Sequence, residues 1–308
     1  MCFSLAQSAI FAGVGVLTAA WLYTCGRPRK YVVLPAFLAL MEVLQTAQYL
    51  VLGNCSSKVN QLLTLLGLVH IAFQPLVINY FLFTRPYPVA LGKLTPPLTY
   101  PAVTMIVMPF SQAAAVLLLI KLIPAFVALL GAQQLLQAAL APHLPARVLS
   151  VLLTNTCADF EMMCGAKLCS AAGKYHLAWI APQMGTGYYV PSIFLHFFAM
   201  FGPSILFGST YHRLLMVLVL VTGPLMSEYL VWGGGQAVRL LEWPSIWCLF
   251  SVAQMLGVLV IELVSNGIVN KRWVLPGADA AEQAADEPYQ NGHANGSHHA
   301  AYEPKKKQ

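Results

Sequence analysis

Residues 66 to 80 read LGLVHIAFQPLVINY, a run with a histidine, a glutamine and an asparagine set among residues otherwise apolar enough to cross a membrane. Whether this is a soluble core helix or a membrane span decides the fold, and the rest of the chain settles it. Of 308 residues, 58% are hydrophobic and only 9% charged, with a mean hydropathy of +0.67, more apolar surface than one soluble core needs. Similar runs recur along the sequence. Each is long enough to cross a hydrocarbon layer of roughly 30 Å, where the backbone must satisfy its own hydrogen bonds as a helix or closed barrel. The runs are continuous rather than alternating, so they predict helices.

The predicted architecture is an all-α integral membrane bundle of seven transmembrane helices, near residues 4 to 24, 31 to 52, 58 to 83, 104 to 138, 191 to 209, 212 to 232 and 243 to 269. The fourth segment is long and carries Lys121 and Pro124, which opens the alternative of two spans. Basic residues favour one. With the N-terminus outside, Arg27, Arg29, Lys30, Arg85, Lys93, Arg213, Lys271 and Arg272 fall on the inner side, whereas an eighth span would reverse every basic residue after Lys121. The reading is one tilted or kinked fourth helix, with the C-terminus cytoplasmic. MCFSLAQ lacks a basic n-region, so the first span reads as a retained helix and not a secretory signal. The net charge of +6 is accounted for by orientation, and no basic patch with interleaved aromatics points to nucleic acid.

Residues 1 to 275 thus form a seven-helix domain with a long outer loop from 141 to 190, and residues 276 to 308 form a polar cytoplasmic tail too poor in apolar residues to fold. The tail ends in Lys305, Lys306 and Lys307, which resembles an endoplasmic reticulum retrieval signal; a basic end drawn to anionic lipid is the alternative. On this topology Cys2, Cys55, Cys157, Cys164, Cys169 and Cys248 lie on or near the outer face and Cys25 alone is inner, a bias that predicts at least one disulfide without assigning its partners. Cys157, Cys164, Cys169 and His176 also raise a metal site, but their gaps exceed those of zinc knuckles, and no metal is assigned. No cofactor is indicated.

Ionisable groups inside spans are costly and mark function by default. Here they are Glu42, His70, Lys121, His196, Glu228 and Glu262. Counting along the hairpin that turns near Cys55, Glu42 lies thirteen residues before the turn and His70 fifteen after it, so they share a level; His196 and Glu228 are level about the turn near Tyr211. Gln45 and Tyr49 continue the Glu42 face at helical spacing, and Gln74 sits one turn beyond His70. Pro75 leaves the Ile71 carbonyl without its helical donor, next to His70. A buried acid and imidazole predict acid–base chemistry, with Glu42 and His70 as the couple, His176 on the outer loop as a further catalytic group, and Gln45, Gln74, Tyr49, His196 and Glu228 toward the substrate. The plainer alternative is interhelical hydrogen bonding. Lys121 pairs with one of these glutamates or snorkels, and Glu262, deep toward the inner side, is its partner or a separate gate.

The Met-Cys start, MEVLQ at 41 to 45, HIAFQP at 70 to 75 followed by Asn79, Leu168-Cys169, YHLAW at 175 to 179 and EWPSIWCLFS at 242 to 251 resemble a family of multi-span membrane proteins known only as a domain of unknown function. The resemblance covers most of residues 1 to 270 and implies no activity. It gives weight to Glu42, Gln45, His70, Gln74, Cys169, His176, Trp179, Glu242 and Trp243, and places Trp179 and Glu242 with the substrate-binding set; His196 and Glu228 lie outside its pattern. Opsins, G-protein-coupled receptors and the ceramidase-like hydrolases fit poorly, since the last span holds no lysine, the third ends in NYFLF, and no paired histidines occur in the last helix. The expectation is an intramembrane enzyme acting on a lipid or apolar substrate, with a proton-coupled small-solute transporter as the alternative and a receptor or assembly factor third.

Overall fold

A computed structural model describes residues 4–83, 100–153, 157, 161–184, 192–208 and 210–263. Its helices are α1 (Leu5–Thr24), α2 (Arg29–Tyr49), α3 (Lys58–Phe83), α4 (Tyr100–Lys121), α5 (Ile123–Leu130), α6 (Gln133–Leu140), α7 (Ala146–Leu153), α8 (Ser192–Phe207), α9 (Thr210–Leu220), α10 (Met226–Val231) and α11 (Gln236–Leu263). Among these residues five stretches, Leu5–Thr24, Arg29–Tyr49, Lys58–Phe83, Ala102–Lys121 and Met216–Gly234, are long and apolar enough to cross a membrane, and Ile193–Phe207 is a shorter apolar helix. Ile10, Leu17, Met105, Leu130, Phe194, Leu214 and Tyr229 are all exposed, the outward apolar surface a bilayer would cover.

The buried positions of α1 are Ser8, Ala12, Gly15, Ala19 and Leu22, a mostly small stripe at spacings of four and three. Small residues let helix backbones approach where lipid supplies no hydrophobic contrast. A Cβ on Gly15 would lie 2.7 Å from that of Ala39 on α2. Farther along the bundle, Asn79 of α3 donates to Ser111 Oγ of α4 at 2.7 Å and to the Ala199 carbonyl of α8 at 2.8 Å, tying three helices together. Pro224 lacks the N–H a helix needs, and the chain passes from α9 to α10 through a π turn, Val221–Leu225. Gln254 and Trp243 of α11 cover that turn, donating to the Val219 carbonyl at 2.9 Å and the Pro224 carbonyl at 3.2 Å.

Two expectations are corrected. The fourth segment is not one helix: it breaks at Leu122 and again at Gly131, whose φ of +65 ends α5, and the pieces Ile123–Leu130 and Gln134–Leu140 meet at 120°. Nor is the fold helical throughout. The loop between α7 and α8 contains an antiparallel hairpin, β1 (Cys169–Ala172) and β2 (Leu177–Ile180), pairing Cys169 with Ile180 and Ala172 with Leu177. This hairpin is sunk among the ends of α2, α3 and α11, with Cys169, Ser170, Leu177 and Trp179 at 0% exposure. The tail, the basic stretches around residues 85 to 93 and 271 to 272, and Cys2 lie outside the described residues, as does the side chain of Glu262.

Candidate functional site

Two disulfides confirm the expectation of oxidised cysteines: Cys55 pairs with Cys169 and Cys157 with Cys164. The three cysteines considered as metal ligands with His176 are therefore all engaged in sulfur–sulfur bonds. The first bridge staples β1 to the α2–α3 turn, across 114 residues of sequence. Hydrogen bonds complete the dock. Asn60 donates to the Val51 and Ser170 carbonyls at 2.8 Å each and accepts from Ser170 N at 2.9 Å, and Thr64 meets Ser170 Oγ at 2.7 Å. Trp179 Nε1 donates to Gln48 Oε1 at 2.9 Å, and Gln48 Nε2 donates to the Leu63 carbonyl.

The hairpin turn is held by one carboxylate. Glu242 of α11, 2% exposed, accepts from the backbone N–H groups of Lys174 and Tyr175 at 2.7 Å each and of His176 at 3.0 Å. Three successive amides pointing at one anion form a cradle of the kind that binds carboxylates and phosphates. Gly173 is required beside it, because a Cβ there would collide with the Glu242 carboxyl and the His176 carbonyl. Glu242 thus positions His176, whose ring turns inward: Tyr49 O–H donates to Nδ1 at 2.7 Å and Nε2–H donates to Gln45 Oε1 at 3.2 Å. Burial pushes His176 down to about 3, so the ring is neutral at physiological pH. Gln45, Tyr49, Trp179, Glu242 and His176 are brought together, though around a buried hairpin and not an open loop.

The predicted Glu42–His70 couple is not formed. His70 Nε2 donates to the Phe37 carbonyl at 2.7 Å and its ring stacks on Phe37, centroids 3.9 Å apart. The carbonyl that receives it is on α2, not the Ile71 carbonyl freed by Pro75. Glu42 is 0% exposed and both carboxyl oxygens lack a hydrogen-bond partner among the described residues; the Ser8 hydroxyl, which also reaches Gln45 Oε1 at 3.5 Å, lies nearby. Equal height on neighbouring helices does not fix the direction a side chain takes around each axis. The second pair fails likewise: Glu228 forms an ion pair with Arg239 on the half-exposed surface, while His196 is buried edge-on to Trp247 at 5.4 Å. Lys121 pairs with Glu161 of the loop at 3.0 Å, with 6% and 2% of their side chains exposed. Because the fourth segment breaks at Leu122, Lys121 ends its helix at the hairpin end of the bundle, where a loop acid reaches it. Glu161 was legible as the acid nearest that end, had the break been read.

Beside this dock lies a partly open pocket with about 50 Å³ of free volume. Its roof is Met162, Met163 and Gln183; its walls come from α3 (Leu68, Ile71, Ala72, Gln74), α4, α8 and α11 (Trp243, Pro244, Trp247, Cys248), and His196 lines it. Gln183 Nε2 donates to the Met162 carbonyl at 2.9 Å and closes the roof on itself. Met163 holds a left-handed backbone, φ +59, which a side chain tolerates only when its surroundings enforce it. Here Met163 N donates to the Leu240 carbonyl at 3.0 Å and Ala181 N to the Met163 carbonyl at 2.8 Å. His196 is 4% exposed and neither ring nitrogen has a partner among the described residues. Among the described residues Gln74 makes a long 3.7 Å contact to Cys248 Sγ, and Cys248 lies within electrostatic reach of Glu42. Among the described residues no group of three His, Cys, Asp or Glu has metal-binding geometry.

The chain belongs to a family of unknown function, DUF5765, which matches residues 6–270. No curated protein and no solved structure matches it. The family covers both the hairpin dock and the pocket, and assigns a role to neither.

Proposed function

We propose that this chain is a seven-span membrane protein that takes an apolar, lipid-like ligand into the pocket lined by His196. The observation that carries the reading is a partly open pocket walled mainly by apolar side chains and lined by a buried imidazole whose two nitrogens have no partner among the described residues. An uncompensated buried polar group is costly, and a ligand that supplies its hydrogen bond repays that cost on binding. An enzymatic step on the ligand would be proton transfer at His196, since Glu42 and His70 line no part of the pocket. Mass spectrometry of organic extracts tests the reading: the purified protein carries an apolar compound at near-stoichiometric level, and Ala72→Phe, which fills the pocket, lacks it while unfolding at the wild-type temperature. Extracts with no enriched compound from either protein reject it.

A second reading, proton-coupled transport, is favoured by one observation: the Glu42 carboxyl is fully buried, and neither oxygen has a hydrogen-bond partner among the described residues. Proteoliposomes with a pH gradient test it, and an absence of proton-driven flux in folded protein removes it. For orientation, both disulfides lie at the hairpin end and Arg27 and Lys30 at the other, the distribution expected of a hairpin end outside and a cytoplasmic C-terminus. A glycan attached at Asn295 would place the tail outside instead. Residence in the endoplasmic reticulum is proposed from Lys305 to Lys307 alone, and substitution of those lysines with unchanged location would reject it.

A further inference from the structure

Building on the pocket reading, we infer that the ligand presents an uncharged hydroxyl or carbonyl oxygen to His196 and carries no phosphate, carboxylate or ammonium: a sterol, fatty alcohol or acylglycerol in chemical class, and not a phospholipid. The pocket lining supplies the first argument. None of its residues is Lys, Arg, Asp or Glu. Lys121 and Glu161, next in sequence to the lining residues Leu122 and Met162, pair with each other. An ionised headgroup would lose its hydration there and meet no countercharge, at a cost far above what apolar contact with the tails recovers. The two tryptophans could face a quaternary ammonium, but a phosphocholine brings its phosphate with it, and nothing in the lining receives a phosphate.

The second argument is what the pocket does offer. A neutral imidazole presents one donor and one acceptor, and in His196 neither has a partner among the described residues. A hydroxyl engages either and a carbonyl engages the donor. The Gln74 amide, held only by its long contact to Cys248 Sγ, is a second donor on the same lining. Apart from Cys248 and Gln183, whose amide donates to the Met162 carbonyl, the remaining lining is Leu, Ile, Ala, Met, Trp and Pro, suited to a hydrocarbon body. A single small oxygen function on a large apolar frame gives the His196 ring a partner without desolvating a charge.

The test uses the full chain in nanodiscs with three photoreactive probes: a diacylglycerol, a phosphatidic acid with the same acyl chains, and a sterol. The first two differ by a phosphate alone. The expected result is saturable crosslinking of the diacylglycerol or the sterol to peptides containing Met162, Met163 or His196, competed by the unlabelled compound and not by phosphatidic acid. Which of the two labels identifies the source of the hydroxyl. His196→Leu weakens labelling about tenfold, and His196→Gln, which keeps a donor and an acceptor, weakens it less, both variants unfolding near the wild-type temperature. Phosphatidic acid labelling as strongly as diacylglycerol would overturn the uncharged class while leaving a lipid pocket in place. Equal labelling of wild type and His196→Leu would remove His196 as the recognition group. Labelling by none of the probes at the pocket peptides would defeat both the inference and the pocket reading.

Discussion

The hairpin dock and the middle of the bundle handle buried polar groups in opposite ways. Around the hairpin, Glu242 receives three backbone N–H groups, Asn60 makes three bonds, Trp179 meets Gln48, and Lys121 meets Glu161. A few residues deeper, both oxygens of Glu42, Nδ1 of His70 and both nitrogens of His196 have no partner among the described residues. The first arrangement is what a structural element needs. The second stores the cost of desolvated groups, which natural chains keep where binding or proton exchange draws on them.

That contrast fixes the sign as well as the size of substitutions. The largest effect is at Glu242: Glu242→Ala strands three amides and lowers stability by about 4 kcal/mol, read as a drop in the unfolding midpoint with new protease cleavage near residues 173 to 176. A change of under about 1 kcal/mol would mean water replaces the carboxylate and the dock is not built on it. Next, Glu161→Ala takes the paired carboxylate away from the buried Lys121 and costs about 3 kcal/mol, whereas the double variant Lys121→Met with Glu161→Ala recovers much of the loss, because the buried ammonium is gone as well.

Acid is the third probe. An unfolded histidine titrates near 6.5, but His176 in the dock titrates at about 3. Between those values only the unfolded chain takes up the proton, so stability falls as pH drops from about 6.5 toward 3 and is insensitive to this group above 6.5. His176 contributes up to about 1.4 kcal/mol per pH unit to that slope. Denaturation midpoints measured across this range show a shallower slope for His176→Gln, and an unchanged slope would show that His176 is not the buried neutral group.

The smallest effect has the opposite sign. Glu42→Met replaces an unpartnered carboxyl with an apolar side chain of similar length and stabilises by about 1 kcal/mol. A loss as large as that of Glu242→Ala would place Glu42 with the anchoring groups and erase the distinction between the two regions.

Much of the bundle was legible. The apolar runs gave the helices near 4 to 24, 31 to 52 and 58 to 83 almost as they stand, because twenty or more apolar residues have few alternatives to a helix. Gln45 and Tyr49 were placed correctly on one face by their spacing, and both contact His176. The break at Leu122 was not legible, since Lys121 and Pro124 are compatible with a kink as well as an interruption. Nor was the hairpin: CSAAGKYHLAWI carries a weak strand pattern, and what makes it stable is the disulfide to Cys55 and a carboxylate 66 residues past His176 in sequence.

The sequence by itself determined that the chain is a helical bundle with an apolar exterior, which of its residues carry ionisable groups into apolar surroundings, and that most of its cysteines lie toward one end. Those are consequences of local composition, length and order. Only the tertiary structure decided which way each group turns, and so separated Glu42 from His70, paired Lys121 with Glu161, and opened the pocket at His196. Rotation about a helix axis and contacts across sixty to a hundred residues depend on how all the faces pack at once, and no short stretch of the chain encodes them alone.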